Sequence, residues 1–83
     1  MIFDVYSIRD VKSGYSLPIT EMNDAVAMRN FANAVNKEGS IYNTHAKDFS
    51  LYRIGNFDSE NGILEDDIPQ LVCEAYSLLE EKE

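Results

Sequence analysis

Apolar and polar positions alternate along residues 2–9, with Phe3 and Val5 on one side of an extended chain and Ile2, Tyr6 and Ile8 on the other. A strand apolar on both sides belongs in the middle of a sheet. Asp10 to Gly14 reads as a turn, with Gly14 free to take a positive φ. Tyr15, Leu17 and Ile19 alternate in a returning strand, and Pro18 removes a ladder donor, which places that strand at an edge. The period then changes. Asn23 can cap a helix, Asp24 suits its positive end, and Ala27, Met28, Phe31, Ala34 and Val35 follow helical spacing, with Gly39 as a stop. Residues 40–47 read as a loop. Residues 49–57 form a second strand apolar on both sides: Phe49, Leu51 and Phe57 against Tyr52 and Ile54. Asn61-Gly62 marks a hairpin with a positive-φ pair, followed by a short edge strand at 63–65. The spacing of Ile68, Leu71, Val72, Ala75, Leu78 and Leu79, with Pro69 near the start, predicts a last amphipathic helix over 66–81.

The elements run β-β-α-β-β-α. They predict a single α+β domain over 1–83, with an antiparallel sheet of about four strands and the first helix packed on one face. The last helix either covers the other face or docks on a partner.

A chain of 83 residues has a thin stability margin. Cys73 is the single cysteine, so no disulfide can form within the chain, and a lone thiol suits a reducing compartment. One cysteine and one histidine make a structural zinc site implausible. Oligomerisation is the support that remains. The net charge of −8 is uneven: residues 1–50 hold five bases and six acids, residues 51–83 two bases and nine acids. The second part repels phosphate and anionic membranes, so any nucleic-acid surface lies on the first. With no membrane-length apolar run and no basic-then-apolar leader, the expectation is a soluble cytoplasmic protein.

Candidate chemistry is sparse. His45 has Asp48 three residues away, but that pair is more often a turn contact than an oriented general base. The acids Asp58, Glu60, Glu65, Asp66 and Asp67 fail the EF-hand pattern, because Gly62 falls where an oxygen ligand is needed. No catalytic residue, metal or cofactor is expected. The aromatics say more. Tyr6 and Tyr52 are expected on one face of the central strands, beside Ile8 and Ile54, where a sheet can stack single-stranded bases. Arg9, Lys12, Arg29 and Lys47 can meet phosphates. The same pairing of aromatic and aliphatic side chains also stabilises ordinary sheets, buried under a helix or in a dimer.

The stretches RDVKSGYSLP, AMRNFANAVN and YNTHAKDFSLYRIGNFDSENG resemble the small nonstructural protein of gokushovirus-type microviruses, phages with single-stranded DNA. The likeness runs over residues 2–64. It is carried by Lys12, Gly14 and Pro18, by Ala27, Arg29, Phe31 and Asn36, and by Asn43, His45, Asp48-Phe49, Leu51, Gly55, Phe57-Asp58 and Gly62. The resemblance implies a DNA-binding protein outside the virion, in the host cytoplasm, acting in the switch from duplex replication to single-strand production and packaging.

Two functions follow as expectations. The first is nonenzymatic binding of single-stranded DNA, with Tyr6 and Tyr52, and Tyr42 as a third candidate, stacking bases while Arg9, Lys12, Arg29 and Lys47 hold phosphates. The second is a homodimer or higher oligomer acting on a viral or host replication protein. Its interface would be the exposed sheet face or the stripe Leu71, Val72, Ala75, Leu78 and Leu79.

Overall fold

The structure is a computed structural model that describes residues 1–80. It is an α+β fold with one curled antiparallel sheet. The strands are β1 (Ile2–Asp10), β2 (Gly14–Tyr15), β3 (Ile19–Glu21), β4 (Phe49–Asp58) and β5 (Ile63–Glu74). β1 and β4 lie in the middle; β5 flanks β4, while β2 and β3 share the other flank of β1. Pro18 explains the split flank. It has no N–H to donate, so Ser16-Leu17-Pro18 leave the ladder between β2 and β3. Ser16 bridges the break: its N–H donates to the Ile8 carbonyl at 2.8 Å and its Oγ accepts from the Ile8 N–H at 2.9 Å. Ser16 also satisfies the buried Ser7 hydroxyl, which donates to its carbonyl at 2.8 Å.

Helix α1 (Asp24–Val35) begins where the pattern predicts, with Asn23 Oδ1 accepting from the Val26 N–H at 2.9 Å. Ala27, Phe31 and Val35 face the sheet and pack with Tyr6, Phe49, Leu51, Cys73 and Ala75 as the core. A short helix, α2 (Ile41–Thr44), and a 3-10 turn (Ala46–Asp48) close that end, with the Tyr42 ring 4.8 Å from Phe49 and 5.9 Å from Phe31, both edge-on.

The predicted helix over 66–81 does not form: β5 occupies Ile63–Glu74, and only Ala75–Leu78 turn, as a 3-10 helix. Residue 81 lies outside the described residues. The hairpin returns the chain along the free edge of β4, whose backbone groups would otherwise stay unpaired. The ladder slips between its Gly55–Asp66 and Arg53–Gln70 rungs, and Asp67-Ile68-Pro69 bulge out there, so Pro69 costs no ladder bond. A second slip beside Val72 turns Cys73 into the core, opposite Leu51. The hairpin itself differs from a two-residue Asn-Gly turn. Gly62 alone takes positive φ, at 68°, and its N–H donates to the Asp58 carbonyl at 2.8 Å.

Gly55 serves the sheet in another way. Its φ is ordinary, but a side chain there would collide with the Glu65 carbonyl oxygen of β5. Asn36, at the end of α1, ties down the C-terminal segment. Its Nδ2 donates to the carbonyls of Ala32 at 2.9 Å and Leu78 at 2.8 Å, and its Oδ1 accepts from the Glu80 N–H at 2.8 Å.

Candidate binding face

The register assigns every side chain of the sheet to one of two faces. Tyr6 pairs with Arg53 and Ile8 with Leu51 on the face that α1 covers. Val5 pairs with Gly55, Ser7 with Tyr52 and Arg9 with both Ser50 and Tyr15 on the other. The slip between Val5 and Tyr6 leaves Ile54 unpaired, so Phe57, opposite Phe3, shares the face of Val5 and not that of Leu51. No helix among the described residues lies over this second face.

The structure therefore divides the predicted tyrosines. Tyr52 stands on the open face. Tyr6 is fully buried under α1 and cannot stack a base. Its hydroxyl donates to Asp24 Oδ1 at 2.5 Å and lies 3.3 Å from Asp4 Oδ2, while Arg53 Nη1 pairs with Asp24 Oδ2 at 3.4 Å. Burial, then the Asp24 and Asp4 carboxylates, push the Tyr6 phenol far above the ordinary tyrosine range. This cluster fastens the first turn of α1 to the sheet. Tyr42 is likewise used in packing, against Phe31 and Phe49.

Tyr15 takes the place that the sequence suggested for Tyr6. It lies on the open face with its ring centroid 5.6 Å from that of Tyr52 at an interplanar angle of 73°. It is half exposed. The signal for it was the alternation of 15, 17 and 19, read only as an edge strand.

The basic residues gather unevenly. Arg9 lies beside Tyr15 on the open face, and Lys12 occupies the turn beyond it, its N–H bonded to Asp10 Oδ1 at 2.9 Å. Lys47 belongs to the 3-10 turn at the same end, where the Val11 N–H donates to the Asp48 carbonyl at 3.0 Å, and its Nζ sits 5.1 Å over the Tyr76 ring. Arg29 stands apart on the exposed side of α1. Acids share this end too: Glu74 Oε2 accepts from the Ser50 hydroxyl at 2.6 Å, Asp10 holds the turn, and Asp48 follows Lys47. The acids Asp58, Glu60, Glu65, Asp66 and Asp67 lie toward the opposite end, around the 58–62 hairpin. Asp58 caps that hairpin, accepting from Asn61 Nδ2 at 2.8 Å and the Glu60 N–H at 3.0 Å, and these bonds hold its carboxyl below the usual range.

The apolar stripe predicted at the C-terminus exists as residues but not as a helix face. Ala75 is fully buried; Val72, Leu78 and Leu79 pack on the core; Leu71 alone is exposed, opposite Tyr52 on the open face. Cys73 is buried, which pushes its thiol up to about 11.

A recess of about 340 Å³ lies between Asn43–Asp48 and Tyr76, Leu79. It holds His45, whose Nδ1 meets Thr44 Oγ1 at 2.8 Å, while the tie to Asp48 runs through the backbone, the Asp48 N–H donating to the His45 carbonyl. The hydroxyl and imidazole belong to adjacent exposed residues, without the orienting third group that an activated nucleophile needs. No group of three metal-ligating side chains occurs among the described residues. No helix among them is long and apolar enough to cross a membrane.

The fold and its surface thus define a small helix-on-sheet protein whose second sheet face is aromatic and open. Residues 3–78 match the family model described as phage ORF5 protein, and the chain belongs to that phage protein family. No curated protein and no solved structure matches it.

Proposed function

We propose that the chain is a nonenzymatic phage protein that binds single-stranded DNA on the open sheet face. The supporting observation is the pair Tyr15 and Tyr52 on the open face, 5.6 Å apart, the first half exposed and the second partly so, with Arg9 beside them. Aromatic faces on an exposed sheet accept any base, and a cation beside them meets the phosphate. Lys12 and Lys47 extend the basic end beyond the sheet. The total charge of −8 is compatible with this, because much of the acid lies toward the other end of a molecule 47 Å long. Membership of a phage family supports a role in infection. The resemblance to gokushovirus nonstructural proteins supports the narrower one: a non-virion protein of the host cytoplasm acting when duplex replication gives way to single-strand production and packaging.

The test is anisotropy of labelled single-stranded and duplex oligonucleotides at two salt concentrations. The expected result is salt-sensitive binding that favours single strands. Tyr15→Ala and Tyr52→Ala should each weaken it by about 1–3 kcal/mol, and Arg9→Ala should lower the salt slope by about 0.7 for a single strand. Affinity unchanged in all three variants, or no binding at either salt, rejects the assignment.

A further inference from the structure

The tyrosines occupy only half of the open face. The other half, toward the 58–62 hairpin, is mostly apolar: Phe3, Val5, Ile54, Phe57 and Leu64 across the strands, with Pro18 and Thr20 at the margin and Asp66 opposite Gly55. Two adjoining grooves, of about 240 and 120 Å³, share Val5, Pro18 and Leu64 as walls. Leu64 is 67% exposed, and Thr20, in the wall of the larger groove, is exposed as well.

We infer that this half is a docking surface for a second copy of the chain, packed face to face. The first argument is area. The chain exposes 5740 Å², where a compact monomer of its 9.4 kDa exposes about 5,000 Å². The surplus is close to the roughly 800 Å² that each partner contributes to a standard interface. The radius of gyration agrees: 13.4 Å against about 12 Å for a compact chain of this length. The surplus belongs to the elongated molecule as a whole, and its open sheet face is part of it.

The second argument concerns which mode of pairing is open. A copy cannot readily extend the sheet. Pro18 interrupts one edge, and the other carries Glu65-Asp66-Asp67, the bulge and Pro69, so two such edges would bring like charges together. On the face, Pro18 stands only at the margin and Asp66, opposite Gly55, is the one strand-paired acid of the apolar half, so face-to-face packing brings fewer like charges together than edge pairing. The third argument concerns other occupants. The patch lacks the buried polar groups that orient a small ligand, and a chain of −8 is repelled by an anionic bilayer. In the resulting dimer, the tyrosine halves remain uncovered beyond the shared surface. The inference needs no DNA.

The test is sedimentation equilibrium of the full chain without nucleic acid, over low to high micromolar concentrations. The expected result is a reversible monomer–dimer equilibrium, tightened by salt as the −8 charges are screened. Leu64→Lys and Thr20→Lys alter exposed side chains of the groove walls, so each should keep the circular dichroism of the parent while weakening the dimer at least tenfold. Tyr52→Ala, on the other half, should leave it unchanged. A monomer at every concentration overturns the inference. So does a dimer indifferent to both lysine variants, or preferential binding of the monomer to neutral lipid vesicles.

Discussion

Gly55→Ala tests how closely the two long strands approach at the centre of the sheet. Gly55 sits on the rung joining Val5, Gly55 and Asp66, beside the bulges of both ladders. Its φ is not positive, so alanine meets no backbone strain of its own. The obstacle is the added methyl, which would strike the Glu65 carbonyl oxygen, with the Glu65 carbonyl carbon at 3.2 Å and the Asp66 Cα at 3.3 Å. All three are backbone atoms and cannot rotate away, so relief requires β5 to move off β4. Forcing an extra carbon into a packed site costs about 1–3 kcal/mol, and a ladder bond weakened by the shift costs about 0.5–1.5 kcal/mol more. The expected loss is about 2–4 kcal/mol, a fall in Tm of roughly 10–25 °C for a domain of this size. Thermal and urea unfolding followed by circular dichroism measure it. Gly39→Ala supplies the contrast: φ is +83° and nothing lies near the new methyl, so only backbone strain acts, about 1–2 kcal/mol. If Gly55→Ala melts within about 3 °C of the parent, the close approach of β4 and β5 is wrong.

Other outcomes follow from the same geometry. Tyr6→Phe should lower stability by about 1.5–3 kcal/mol in denaturant titrations, because a hydroxyl bonded to a carboxylate is lost, yet it should leave DNA affinity unchanged. Asn36→Ala should free the C-terminal segment, seen as faster amide exchange at Glu80. The Asp58 carboxyl should titrate below the free aspartate value of about 3.9 in a carbon-detected NMR series. Its folded pKa is depressed, so its contribution to stability is fully present above that value and fades as pH falls through the folded pKa. Asp58→Asn should remove that part of the acid sensitivity. The buried Cys73, with its raised pKa, should resist a thiol reagent at pH 8 until denaturant exposes it.

Much of the helix-on-sheet plan was legible because its signals are local. Asn23 caps α1 through a bond three residues long, and Ala27, Phe31 and Val35 mark its buried face by spacing alone. The two faces of residues 2–9 and 49–57 were also readable, but not which face of one strand joins which face of the other. That is a matter of register, and one unpaired residue, Ile54, moves Phe57 to the side opposite Leu51. Tyr6 and Tyr52 fell on opposite faces for the same reason. The C-terminal segment misled because residues 68–79 satisfy two periods at once. Ile68, Leu71, Val72 and Ala75 fit a helix, while the alternation of Leu71, Cys73 and Ala75 fits a strand, although the slip beside Val72 leaves only Cys73 and Ala75 on the core side. The decision came from outside the segment, from the unpaired edge of β4 to which the hairpin returns it. Tyr15 was missed because an edge strand broken by proline looked like framework, although its ring lies against Tyr52.

The central place of β1 bears on how the protein is made. β1 is complete once Asp10 has been added, but its main partner is complete only at Asp58. At roughly 5–20 residues per second, a nascent strand with apolar side chains on both faces waits about 2–10 s for its mate. Throughout that interval it has only the minor flank of β2 and β3 to pair with. Assembly of the sheet is therefore a late event of translation, set off by release of the second half of the chain. A ribosomal pause at any point before β4 has emerged would prolong the exposure of β1.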